Sequence, residues 1–125
     1  MKHPNSQILE KLYADFQNGR FDQMLSACAD NATFQIAGKS QLAGKFTKAD
    51  FVPRYAAKVK ELGSFEVHDI MASDRHGIAL TSSTFSKNGE KVTSRTVHVW
   101  RFENGSPVAF YEYLRDMYQF DAIWS

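Results

Sequence analysis

The pair Asn104-Gly105 constrains this chain more than any other two residues. β-rich runs flank it in the stretch VTSRTVHVWRFENGSPVAFYEYLRD, from Val92 to Asp116. Asn-Gly between two such runs predicts a two-residue hairpin, because both central positions of that tight turn need positive φ. Val, Thr, Trp, Phe and Tyr crowd both arms, as suits a pleated, half-buried surface. The arms also carry His98, Arg101, Glu112, Arg115 and Asp116 among apolar neighbours. The hairpin is therefore read as the floor of a small-molecule pocket over which the rest of the chain closes.

Upstream, the periodicity is first helical and then strand-like. Asn5-Ser6 after Pro4 offers an N-cap, and Ile8, Leu9, Leu12, Tyr13 and Phe16 recur at helical spacing up to a stop at Asn18-Gly19. A short helix from Asp22 turns Met24, Leu25 and Cys28 inward. Ala32 to Ala37 alternates as a strand with Phe34 and Ile36 on one face. Gly38 to Phe46 reads as a loop, and Thr47 with Asp50 resembles a capping box for a third helix. That helix places Phe51, Val52, Tyr55, Ala56, Val59 and Leu62 on its buried side and ends at Gly63. Strands follow at Ser64 to Ala72 and Gly77 to Ser86, and Asn88-Gly89 turns the chain into the Val92 strand. Four long strands joined by tight turns form an antiparallel meander. The order predicts an α+β domain spanning residues 1–125, with three helices on one face of a curved antiparallel sheet.

Composition narrows the function classes. The aromatic fraction of 14% is high and suggests a lined cavity, a sticky interface, or both. A net charge of +1 gives no reason to expect nucleic acid or an anionic membrane as partner. The single Cys28 excludes an internal disulfide and a cysteine-rich metal site. With no apolar leader-like region and no run long enough to cross a bilayer, a cytoplasmic location is expected.

Three stretches together resemble a known family: Gly38 to Phe46 before the third helix, Val97-His98-Val99-Trp100-Arg101-Phe102-Glu103-Asn104-Gly105, and Tyr111-Glu112-Tyr113. The closing Asp116 to Trp124 also fits. The chain resembles the SnoaL-like branch, with its polyketide-cyclase and ketosteroid-isomerase relatives, of the nuclear-transport-factor-2-like superfamily. That resemblance implies a cystatin-like cone, a strongly curved sheet wrapped around the helices with a pocket between them. It also implies a homodimer paired through the outer face of the sheet, and acid/base chemistry by a buried Asp or His without metal or organic cofactor. Two departures stand out. Ser106-Pro107 replaces the usual Lys-Ile after the turn, so the last strand is expected to start late. Gln35 stands where the first strand often carries a histidine.

Several residues are candidates for chemistry. Asp116 ends an aromatic strand, where poor solvation would raise its pKa and make it a proton carrier; it can equally pair with Arg115 or Arg101, or cap the tail. His98 shares a strand face with Thr96, Trp100 and Phe102, and is either an acid/base in the pocket or a hydrogen-bonded core histidine. Tyr13 and Tyr55, on the inner faces of the first and third helices, can donate to a developing oxyanion or simply pack. Trp100, Phe102 and Glu112 are expected to line the substrate, and the indole N–H of Trp100 is a second possible donor to its oxygen. Asp116, Gln35 and Arg101 are the set that epoxide hydrolysis would require. Scattered histidines without ligand spacing predict no metal site. Three readings stay open: an isomerase or cyclase acting on a small apolar carbonyl compound, a binding module for an apolar ligand, and a dimeric scaffold with a filled pocket.

Overall fold

The computed structural model describes residues 2–36, 43–51, 53, 63–87 and 89–114. Helix α1 (Pro4–Gln17) opens the chain, followed by α2 (Phe21–Ser26) and the short strands β1 (Thr33–Ile36) and β2 (Gly44–Thr47). A helical turn, α3 (Lys48–Phe51), precedes four strands: β3 (Gly63–Ala72), β4 (His76–Lys87), β5 (Glu90–Glu103) and β6 (Ser106–Leu114). The fold is α+β, with one curved six-stranded sheet in the order β2-β1-β6-β5-β4-β3.

The meander from β3 to β6 is antiparallel throughout, as the turn signals predict. Asn104 and Gly105 have φ of 50° and 78°, the left-handed pair that a two-residue hairpin turn requires. One ladder departs from the antiparallel expectation: β1 lies parallel to β6, Phe34 opposite Phe110 and Ile36 opposite Glu112. Residues 44–46, expected within a loop, and Thr47, expected as a helix cap, form β2 and pair antiparallel with β1. Phe46 is buried there and stacks on its partner Phe34 with centroids 5.8 Å apart, so a cross-strand aromatic pair outweighs the loop-like composition around it.

Two further expectations are corrected. Helix α1 is capped by His3 rather than Asn5 or Ser6: the Asn5 backbone N–H donates to His3 Nδ1 at 3.1 Å, with Pro4 in the first turn where its missing N–H costs nothing. Strand β6 starts directly at Ser106, although Pro107 is fully buried. A β-bulge between Arg101 and Phe102 accommodates it: Phe102 faces Pro107, but Arg101 faces Ala109, leaving Val108 as the extra residue. A second irregularity, between Val67 and Asp69 in β3, adds to the bending of the sheet.

Leu9, Leu12 and Tyr13 form the inner stripe of α1 and pack on the concave face, with Met24 and Cys28 closing the core behind them. Phe34 anchors an aromatic cluster with Phe51 (4.8 Å), Phe110 (5.9 Å) and Trp100 (6.3 Å, edge-on). Gly77 on β4 lets α1 come close, since a Cβ there would overlap Leu9 Cδ1. The third helix was expected to run on to Leu62; the positions from 54 to 62 lie outside the described residues.

Candidate functional site

Alternation along β5 turns Ser94, Thr96, His98, Trp100 and Phe102 inward and Arg95, Val97 and Arg101 outward. Across the hairpin, His98 pairs with Glu112 and Trp100 with Phe110, so these four side chains share the concave face. Tyr13 comes down on them from α1. Tyr13, His98, Trp100 and Glu112 are each 2–4% exposed.

Their polar atoms form a single chain of hydrogen bonds. The Trp100 indole Nε1–H donates to Tyr13 Oη at 2.9 Å. Tyr13 Oη lies 2.6 Å from His98 Nδ1, and His98 Nε2 lies 3.1 Å from Glu112 Oε2. For a neutral imidazole the inventory of donors sets the direction. An indole N–H only donates, so the phenol oxygen accepts there; its own proton points to Nδ1, and His98 carries its proton on Nε2, aimed at the carboxylate. Thr96 Oγ1, 3.4 Å from His98 Nε2, contacts the Thr81 hydroxyl, which donates to the Thr96 carbonyl at 3.2 Å. Burial, opposed by the bond from Trp100 and reinforced by the negative charge of Glu112, pushes the Tyr13 phenol well above its ordinary range. Tyr13 is therefore held as a neutral hydroxyl.

An apolar cavity of about 20 Å³ lies beside this chain, lined by Tyr13, Phe16, Phe65, His98, Trp100 and Phe110 together with Met24 and Phe51. That is room for about one water molecule. Rings take up the rest of the space. Phe65 lies parallel to both Tyr13 and His98, with centroids 5.9 and 6.0 Å away, and Phe110 meets His98 edge-on at 4.8 Å.

The structure thus brings together four of the residues expected at the site: Tyr13, His98, Trp100 and Glu112. Trp100 gives its N–H to Tyr13, so it is not offered to a substrate oxygen as expected. Phe102 is buried on the same face but sits beside Gly77, away from the cavity lining. Gln35 is exposed, because Phe34 and Ile36 take the inner positions of β1. Arg101 faces outward beside Glu103, so Gln35 and Arg101 do not assemble an epoxide-hydrolysing set. Asp116 and Tyr55 lie outside the described residues. Sequence reasoning missed the lining role of Phe65 and Phe110. Among the described residues, no three His, Cys, Asp or Glu side chains gather to hold a metal ion.

A family model for the SnoaL-like domain matches residues 9–110. The chain belongs to the SnoaL-like domain family. Its fold is the cystatin-like, nuclear-transport-factor-2-like one. This SnoaL-like domain is similar in structure to Bal32a from a soil-derived mobile gene cassette, at 23% identity and a TM-score of 0.86, covering 98% of this chain and 97% of that one. It is similar to TerC co-crystallized with polyporic acid, at 18% identity and a TM-score of 0.80, covering 94% and 95%. It is also similar to a putative polyketide cyclase from Xanthomonas campestris, at 14% identity and a TM-score of 0.73, covering 98% and 97%. At these identities the likeness establishes the fold alone. No curated protein matches the chain in sequence. Among the described residues, no helix is long and apolar enough to cross a membrane.

Proposed function

We propose that this SnoaL-like domain binds a small, largely apolar carbonyl compound and moves a proton on it, as an isomerase or cyclase. The observation that carries this reading is the buried chain Trp100–Tyr13–His98–Glu112 at the wall of an aromatic cavity. A neutral imidazole with a carboxylate on one nitrogen can take a second proton inside an apolar site, because the resulting cation is paired at once. The solved relatives support the substrate class: one holds polyporic acid and another is a putative polyketide cyclase. Asp116 and Tyr55 belong to the same proposal, as a second acid/base and a second hydroxyl donor.

Hydrogen–deuterium exchange at the α-carbons of cyclohexanone and β-tetralone in D2O, followed by NMR, tests the reaction class. The wild type is expected to accelerate exchange, and His98→Gln to lose about 100-fold or more of that acceleration. Binding of either ketone with no acceleration would leave a binding module instead. The volume of the cavity favours that second reading, or a scaffold, since a ligand larger than water enters only if Phe65 or its neighbours turn aside.

A homodimer through the sheet is part of the proposal. Met71, Ile78, Leu80, Val97 and Tyr113 are large apolar residues left exposed on β3 to β6, with Tyr113 at 56%. Leu80 opposes Val97, which opposes Tyr113, so they form a continuous row on the convex face. Sedimentation equilibrium of Val97→Lys against wild type checks it: a monomer in both would end the dimer proposal.

A further inference from the structure

His98 offers a substrate neither of its nitrogens. Nδ1 is held by Tyr13 and Nε2 by Glu112, and the ring of Phe65 lies parallel to the imidazole. Tyr13 is different. A hydroxyl has one proton and two acceptor positions; Trp100 occupies one acceptor, His98 takes the proton, and one lone pair is left. Tyr13 also lines the cavity.

We infer that Tyr13 is the catalytic residue that exchanges the proton with the substrate, and that His98 and Glu112 act through it as a relay. This rests on the acid/base reading above. In the forward step the substrate α-C–H bond breaks and its electron pair forms the enolate. The proton bonds to Tyr13 Oη while the Tyr13 O–H proton passes to His98 Nδ1. His98 becomes an imidazolium facing the Glu112 carboxylate. Reversal at a different carbon returns the proton and completes an isomerisation, with no net change in the protein. The two transfers are concerted, because a free phenolate would be a buried, desolvated charge. Trp100 is a positioning residue: its N–H fixes the phenol oxygen, so the hydroxyl proton has one direction in which to leave.

The test uses the same ketones. Tyr13→Phe, checked for a native circular dichroism spectrum and melt, is expected to lose about 100-fold or more of the exchange rate. Undiminished exchange in Tyr13→Phe would overturn the relay and leave the proposed acid/base function standing, with His98 acting directly. Should Tyr13→Phe fail to fold, the wild-type rate in mixtures of H2O and D2O decides. The substrate C–H does not come from solvent, so the relay puts one solvent-derived proton, that of Tyr13, in flight with it. Loss of the α-C–H that slows linearly with deuterium fraction supports the relay, and a rate independent of that fraction overturns it. If the wild type exchanges neither ketone, the proposed function falls and the relay with it.

Discussion

His98 and Glu112 face each other across β5 and β6, 3.1 Å apart at Nε2 and Oε2, because of one extra residue between them. The turn at Asn104-Gly105 aligns Glu103 with Ser106 and Phe102 with Pro107. Continued unbroken, that register would set His98 opposite Tyr111 and turn Glu112 outward, opposite Val97. The bulge at Val108 shifts the ladder by one and returns the carboxylate to the inner face.

Glu112→Ala removes the acceptor from a buried imidazole N–H. It is expected to destabilise the protein by about 2–4 kcal/mol, and Glu112→Gln by less, since an amide oxygen can still accept. Urea unfolding of both variants measures the difference. A negligible cost in both variants would mean that the carboxylate does not hold His98.

Gly77→Ala forces a methyl group into Leu9, which is fully buried and packed between α1 and β4. A loss of about 1–3 kcal/mol is expected from overpacking. Pairing the change with Leu9→Ala should recover part of it, and a double-mutant cycle reads the coupling.

Asp15 is buried on α1 and bridged by Lys11 and Arg20, both at 2.9 Å. Its hydrogen bonds to Lys11 and then to Arg20 hold the carboxyl below the ordinary aspartate range. A folded-state pKa below the unfolded one gives stability that is present above the unfolded value and lost as pH falls through the folded one. Melting temperatures of Asp15→Asn should therefore fall less steeply than wild type from pH 5 downward. Parallel acid limbs would remove Asp15 from the account.

Cys28 shows the opposite sign. Burial pushes its thiol up from the ordinary range to about 11, opposed by the charge of Lys48. Stability from the neutral thiol is complete below the unfolded value and is lost as pH rises through that window. Cys28→Ala should flatten the alkaline limb of the melting curve there. Native wild type should also resist iodoacetamide at pH 8 and react once unfolded.

Much of this arrangement is legible in the sequence, and the missing parts have identifiable causes. Asn104-Gly105 specifies its turn by backbone sterics alone, and period-two alternation places Thr96, His98, Trp100 and Phe102 on one face. Tyr13 follows from the helical spacing of Leu9, Leu12 and Phe16. The partner of His98 does not follow, because Pro107 announces either a late strand start or a bulge, and only the bulge shifts the register by one residue. Gln35 was expected at the substrate although the same alternation that buries Phe34 and Ile36 turns it outward; that signal was present in the strand. The size of the cavity was not legible, since it depends on how Phe65, Phe110 and Tyr13 stack once three separate elements meet.

The parallel ladder between β1 and β6 governs how this chain emerges from a ribosome. Residues 33–36 find their sheet neighbours at residues 109–112, near the far end of the described chain. Phe34, Phe46 and Phe51 are therefore made early and covered late, after the C-terminal hairpin has left the exit tunnel. A product stopped short of Ser106 would carry these rings uncovered, which makes premature termination an aggregation hazard for this protein rather than a route to a smaller working one.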